Sequence, residues 1–390
     1  MSKSEQLHPI RRSLAQARRI VIKVGSGVLV NQNYQLDTKR LGALVESLDR
    51  LLKNKTQTIL VSSGAIAAGA PVMGLENRPQ SIPQKQACAA AGQSRLMALY
   101  ESFLADRGHH TAQILLTQDD VRNRERYLNA KNTIETLLSA NILPIVNEND
   151  TVAVEEIKFG DNDNLSAQVA ALVQADLLLI LSSVNGLYDK DPNTVGANEN
   201  PISVVKKITE KHFCYARDEE NPVSITTGGM KSKLIAIQKA SQYGVSAVLA
   251  NGLRPGVIES VLSGAQEGTL FLPQTDKLSA RKHWILHSLV SQGNLTVDSG
   301  AARAIVEDGK SLLPVGITAI SGDFRAGNAV QVLGPDGKRI ATGLTHYSAG
   351  EVRIIMGCRS ERIISLLGYS YCEEVMHRDN LVLIHHQSAD

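Results

Sequence analysis

The run GDNDNLSAQVAALVQADLLLILSS, from Gly160 to Ser183, decides how the chain is read. Its last third, Asp176–Ser183, is apolar on both faces, which marks a strand inside a covered sheet. The stretch before it, Asn164–Gln174, has helical spacing. Two Asp and two Asn crowd into 161–164, where a single side chain would cap the helix. The helix and strand are part of a βαβ pattern. The surplus of short polar side chains asks for a second purpose.

Working outward, the same alternation holds from Arg19 to about Leu270. Strands are predicted at RIVIKV (19–24), TILVSS (58–63), AQILLT (112–117), ILPIVN (142–147) and VSAVLAN (245–251). Helical patterns separate them: Leu36–Leu52, with Leu41, Leu44, Val45, Leu48 and Leu52 on one face, then 84–104, 126–138 and 230–243. Strand and helix in alternation predict an α/β fold, a mostly parallel sheet sandwiched by helices. Ligands of such sheets bind at the carboxyl ends of the strands. From about residue 284 short β-like runs dominate, including LLPVGITAISG, NAVQVLG, RIATGLTHYS and EVRIIM, with Pro335-Asp336-Gly337 as a hairpin turn. One helical pattern, 300–308, interrupts them. These changes place a first domain at 1–272, a linker at 273–282, a small β-barrel-like domain at 283–375 and a tail at 376–390.

Composition excludes several classes. With 390 residues and 43% hydrophobic content the chain can bury a large core. A net charge of +2 gives no case for a nucleic acid or a membrane as main partner. From Arg281 to Asp390 basic and acidic residues number eleven each, which argues against an RNA binder. Cys88, Cys214, Cys358 and Cys372 form no CxxC pair and read as reduced thiols, so a cytoplasmic location is expected. The basic N-terminus lacks the apolar segment of a secretory signal. The histidines near the C-terminus are assigned no metal.

Four polar clusters fall at strand ends: KVGSGVLV from Lys23, SSGAIAAGA from Ser62, NENDTVAVEEIKFGDNDN from Asn147 and TTGGMKSK from Thr226. Glycines at 25, 27, 64, 228 and 229 would let backbone N–H groups approach an anion. Lys23 and Lys233 add positive charge. Together these groups suit a polyphosphate that gains charge at a bridging oxygen during transfer. A Walker A loop, a third dinucleotide glycine, HExxH and GxSxG are all absent.

These clusters, with QACAAAGQSRLM, LPIVNENDTVA, EIKFGDNDNLSA and GLYDKDP, resemble the amino acid kinase family over about residues 18–264. They are most similar to members that phosphorylate the γ-carboxylate of glutamate, and the C-terminal part resembles a PUA domain. The resemblance implies ATP and Mg²⁺, with L-glutamate as acceptor and L-glutamyl 5-phosphate as product. It also implies delivery of that product to γ-glutamyl phosphate reductase, feedback by proline, and a dimer or tetramer. Lys23, Lys233 and Asp163 match catalytic positions. Ser63, Asp150 and Asn162 match substrate positions, with Asn147 added. Lys23, Gly25, Ser182, Ser183, Thr227, Gly228, Gly229, Met230, Lys231, Ser232 and Lys233 fall on the ATP side. No residue is assigned to the metal. Ser182-Ser183 departs from the family's usual Thr-Asp. Sibling kinases acting on acetylglutamate, aspartate, carbamate or UMP are disfavoured by the NENDTVA and GDNDN blocks.

The charges explain the crowding at 161–164. Two ammonium groups aimed at one phosphate repel each other, and a carboxylate between them offsets this and fixes their direction. The expectation is that one residue of the run caps the helix, Asp163 orients the lysines and Asn162 reaches the substrate.

Overall fold

The computed structural model describes residues 9–152, 162–189, 200–215, 229–275 and 291–384. One compact unit comprises Met1–Val121 and Ala130–Asp276; the other comprises Arg122–Asn129 and Lys277–Asp390. From residue 276 on, the expected linker lies outside the described residues.

The first unit is an eight-stranded sheet: β1 (Arg19–Val24), β2 (Gln57–Ser62), β3 (Thr111–Leu116), β4 (Leu143–Glu148), β5 (Leu177–Ser182), β6 (Val204–Val205), β7 (Ser246–Asn251) and β8 (Thr269–Phe271). The spatial order is β3-β4-β2-β1-β5-β7-β8-β6, and every pairing is parallel except β7 with β8. Strand β5 is buried along its whole length, as its two-faced apolar pattern requires. The helices between these strands are α1 (Ser26–Leu29), α2 (Thr38–Lys53), α3 (Ala65–Gly69), α4 (Ile82–Ala105), α5 (Gln118–Arg122), α6 (Arg124–Ser139), α7 (Asn162–Leu172), α8 (Glu210–Tyr215), α9 (Met230–Gln242) and α10 (Val257–Leu262).

Local sequence starts these helices. Asp37 caps α2 by accepting from the N–H groups of Lys39 and Arg40. Ser81 and Gln84 form a capping box at α4, with Pro83 in its first turn. The apolar faces of α2 and α4, from Leu41 to Leu51 and from Leu96 to Leu104, pack into one core with Ile20, Ile22, Leu60, Leu177 and Leu179. Arg11 is a polar element of this packing. Its guanidinium is fully buried and donates to the carbonyl oxygens of Ser203, Ala265, Glu267 and Gly268 at 2.7–3.0 Å. It ties the N-terminal 3-10 turn to the β6–β8 edge of the sheet.

Register gathers the polar strand ends. Lys23 stands beside Val61 and Ile180, and Val24 beside Ser62 and Leu181. Asn147 is next to the end of β4, and Ser182 ends β5. Lys23, Ser62, Asn147 and Ser182, spread over 160 positions of sequence, therefore share one carboxyl edge.

The second unit is a five-stranded, mostly antiparallel sheet in the order β10-β9-β11-β12-β13. Its strands are β9 (Gly293–Val297), β10 (Ile317–Gly322), β11 (Ala329–Leu333), β12 (Arg339–Leu344) and β13 (Leu381–Leu383). Helices α11 (Ser299–Val306), α12 (Ala349–Ile355) and α13 (Ile363–Leu367) pack with it. Two expectations are corrected. EVRIIM, read as a β-like run, lies mostly in α12. Ser348 and Glu351 close a capping box, and Ala349, Val352 and Ile355 bury one helical face, so helical period outweighs the β-branched composition. The stretch from 376, read as a tail, contains β13, which pairs antiparallel with β12.

A tight crossing in the first unit yields a test. A Cβ at Gly92 would sit 1.9 Å from the Ala65 carbonyl oxygen and 2.4 Å from the Gly69 nitrogen, so α4 accepts only glycine where α3 crosses it. Gly64, at φ +112°, forms the turn entering α3. Gly92→Ala is expected to cost about 3 kcal/mol in stability, read by urea denaturation, and to raise the KM of whatever binds at the Ser63–Gly64 turn.

Candidate active site

The sheet edge carries two adjoining sets of side chains. In the first, Asp163 of α7 reaches Lys23 of β1 through Oδ1 at 2.7 Å and Lys233 of α9 through Oδ2 at 3.4 Å. Ser232 donates its hydroxyl to the same Oδ2 at 3.1 Å. All three charged side chains are buried, at 5%, 6% and 0% exposure for Lys23, Lys233 and Asp163. Lys233 also donates to the Gly229 carbonyl, at the start of its own helix. Gly25 makes room for this group: a Cβ there would lie 3.2 Å from the Lys23 ammonium. Its backbone is ordinary, at φ −81°. Glycine is used here for space beside the lysine, while its N–H is spent on the Leu181 carbonyl rather than aimed at an anion.

Burial pushes the Asp163 carboxyl up, but the Lys23 and Lys233 charges, with hydrogen bonds from Lys23 and Ser232, more than offset it. The carboxyl ends below its ordinary value and stays ionised at neutral pH.

The second set begins one residue earlier. Asn162 donates through Nδ2 to Ser63 Oγ at 2.9 Å, Asn147 Oδ1 at 3.0 Å and the Ser62 carbonyl at 3.3 Å. Asn147 donates onward to Gln93 Oε1 at 2.9 Å, and Gln93 to Gln113 at 3.4 Å. This chain of amides fixes the floor of a cleft lined by Ser63, Asn147, Asp150 and Asn162, together with Tyr34, Arg78, Lys85 and Glu148. Asn162 Oδ1 is buried and has no hydrogen-bond partner among the described residues. An N–H donor from a ligand would satisfy it.

The structure thus brings together Lys23, Asp163, Lys233 and Ser232 on one side and Ser63, Asn147, Asp150 and Asn162 on the other. Ser182, buried, ends the neighbouring strand, and Ser183 is exposed beyond it. Gly229, Met230 and Lys231 open α9, with Lys231 exposed. Thr227 and Gly228 lie outside the described residues, as does Asp161, the first residue of the 161–164 run. Asn164, the last residue of the run, accepts from Lys239 at 2.5 Å. Sequence reasoning missed Gln93, Tyr34, Arg78 and Lys85. Gln93 stands in the quoted QACAAAGQSRLM block but in mid-helix, where glutamine carries no signal. Tyr34, at φ 56°, holds a backbone conformation that residue type does not announce.

A parallel α/β sheet that gathers two buried ammonium groups beside an amide-floored cleft is built to move a phosphoryl group onto a small polar acceptor. Residues 18–251 match the amino acid kinase family and 293–367 match the PUA domain. The chain belongs to the amino acid kinase family and carries a C-terminal PUA domain. It is 49% identical over 376 residues to the glutamate 5-kinase of Trichlorobacter lovleyi, across 96% of this chain and 99% of that one. It is 47% identical over 371 residues to the glutamate 5-kinase of Geobacter sulfurreducens, across 95% and 99%. Among solved structures, the UMP kinase of Bacillus anthracis aligns at a TM-score of 0.44 and 16% identity, over 66% of this chain and 97% of that one. That likeness is too loose to bear on fold or substrate.

The carboxylate clasp predicts a pH signature. Folding depresses the Asp163 pKa, so its contribution to stability is present above the ordinary value of 3.8 and is lost as pH falls through the lower folded value. Asp163→Asn is expected to cost roughly 3–5 kcal/mol at pH 7 by leaving buried ammoniums without their counter-charge. The gap to wild type should narrow only at more acid pH, which urea melts at pH 7 and pH 3 would read.

Proposed function

We infer that this chain transfers the γ-phosphoryl group of ATP to the γ-carboxylate of L-glutamate, giving L-glutamyl 5-phosphate and ADP, the first step of proline biosynthesis. The near full-length similarity to glutamate 5-kinases supports the substrate pair. The observation that carries the mechanism is the adjacency of Asn162 and Asp163. One serves the acceptor cleft and the next clasps the lysines, so a single helix start sets the acceptor against the phosphoryl group.

A carboxylate nucleophile is ionised at pH 7 and needs no general base. The barrier comes from repulsion between two anions. Lys23 and Lys233 neutralise the transferring oxygens, and Lys233 stabilises charge on the leaving bridge. Their burial strengthens both effects, because little water remains to screen them. Asp163 holds their direction and reduces their mutual repulsion. The glutamate α-ammonium pairs with Asp150, and Asn162 Oδ1 offers it a second acceptor. Ser63 and Asn147 complete the acceptor cleft. On the nucleotide side, Gly25, Ser182, Ser183 and the start of α9 from Gly229 to Lys233 face the phosphates, and the family resemblance adds Thr227 and Gly228 to this set.

ATP enters as its Mg²⁺ complex. Asp163 is already committed to two ammoniums and a hydroxyl, so it does not fit as a magnesium ligand. When bound with the nucleotide, the ion would be held chiefly by phosphate oxygens and water and would supply charge neutralisation to the phosphates. Family resemblance supports three further parts of this reading: an oligomer of two or four chains, feedback by proline at or near the glutamate site, and transfer of the labile acyl phosphate to γ-glutamyl phosphate reductase. A cytoplasmic location fits the free cysteines. Among the described residues no helix is long and apolar enough to cross a membrane.

The deciding assay is glutamate-dependent ADP release with the product trapped as hydroxamate, run against acetylglutamate, aspartate and UMP. Activity with glutamate alone is expected, and a preference for another acceptor would refute the assignment. Lys233→Ala should lower kcat about a hundredfold or more, roughly 3 kcal/mol in the barrier. Asp150→Ala should raise the KM for glutamate roughly tenfold to a hundredfold. An unchanged KM would remove Asp150 from the substrate site.

A further inference from the structure

The second unit contains a group of side chains that the kinase reaction does not use. A ring nitrogen of His346, Cys372 Sγ and a carboxylate oxygen of Glu374 all lie within 4.8 Å of one another, and all three residues are partly buried. His346 follows β12, while Cys372 and Glu374 sit on the segment that leads to the Leu312–Met376 bridge. The backbone already fixes these two segments together. The His346 N–H donates to the Val375 carbonyl at 2.8 Å, and the Tyr347 hydroxyl donates to the Cys372 carbonyl. The three side chains are therefore presented by a frame set by other bonds.

The contacts within the group are those of a nitrogen–sulfur pair with a held imidazole. Nδ1 stands 2.6 Å from Sγ and 3.3 Å from the Glu374 carbonyl oxygen, to which Sγ also donates at 3.3 Å. The other ring nitrogen, Nε2, is 3.3 Å from the side-chain amide of Asn380, which is buried. A ligating histidine is commonly oriented in this way, through a partner on its second nitrogen.

We propose that His346 Nδ1, Cys372 Sγ and the Glu374 carboxylate form a binding site for a borderline-soft divalent ion of the Zn²⁺ type, with water in the fourth position. Imidazole and thiolate select such an ion over Mg²⁺, which prefers oxygen. Tetrahedral Zn²⁺ holds its sulfur and nitrogen ligands roughly 3.5 Å apart, so Nδ1 and Sγ must separate by about 1 Å to admit it. The thiol proton leaves to solvent as the metal–sulfur bond forms. Nδ1 must be the unprotonated nitrogen, so Nε2 carries the proton, and a half-turn of the Asn380 amide presents Oδ1 to accept it. The ion closes a covalent-like link between residue 346 and residues 372–374. It stiffens the end of β12 against the segment that returns to β13, and takes no part in phosphoryl transfer.

The test uses the full-length protein, stripped with a chelator and titrated with Zn²⁺ in excess Mg²⁺ without nucleotide. One Zn²⁺ per chain is expected, with a rise in melting temperature. Co²⁺ in place of Zn²⁺ should give a thiolate-to-cobalt charge-transfer band. Cys372→Ser should abolish that band. Asn380→Ala removes the partner of the imidazole's second nitrogen and should weaken binding roughly tenfold to a hundredfold while keeping the band. Glu374→Gln, which leaves thiol and imidazole in place, should also weaken uptake and keep the band. No uptake by the wild-type chain would mean a plain hydrogen-bonded pair and would overturn the proposal. A band that survives in Cys372→Ser would assign the metal to another cysteine and overturn it equally.

Discussion

Asp163 between Lys23 and Lys233 is the constraint on which the kinase unit rests. Each charge is almost wholly removed from water. Desolvating such groups costs several kcal/mol apiece, and the two ammoniums repel each other as well. A pair of apolar side chains would stabilise the fold as well or better. The arrangement makes sense as a preorganised positive site, held before a phosphate arrives and therefore spared reorganisation during the reaction. The carboxylate lets the sheet edge fold around two cations without leaving either uncompensated.

The clasp depends in turn on the start of α7. Asp163 lies in the first turn of that helix, where the helix dipole also favours a negative group. Asn162 points into the amide chain that runs through Asn147 to Gln93 and Gln113. A shift of this helix start would disturb both the amide-floored cleft and the lysines. That coupling gives a reason for the density of short polar side chains: each is too short to reach its partner unless the helix begins where it does. The crossing of α3 and α4 at Gly92 supports the opposite wall, because it sets the Ser63–Gly64 turn that accepts from Asn162.

The second unit follows different rules. Its sheet is short-stranded and mostly antiparallel, its helices are brief, and its core is a separate cluster around Val330, Val332, Tyr347 and Val352. Among its described residues nothing resembles the Lys23–Asp163–Lys233 cluster. Its one concentration of ligating chemistry among the described residues joins His346 to Cys372 and Glu374, whose placement has a structural reading rather than a catalytic one.

Much of the fold was legible from local pattern. Two-faced apolar runs such as 177–182 can only be buried strands, and the spacing from Leu41 to Leu52 can only bury one face as a helix, because hydrophobic burial acts on period. Residue type also pointed to Lys23, Lys233, Ser63 and the 161–164 run, since charges and glycines at strand ends rarely serve a core. The tertiary structure alone decided the rest. It gave Gly25 the task of sparing the Lys23 ammonium, placed Tyr34 at the cleft and Gln93 in the amide chain beneath it, turned EVRIIM into a helix and drew β13 into the sheet. Those outcomes depend on distances between segments far apart in the chain. Local periodicity has no access to such distances, because they are set by how the helices and strands pack against one another.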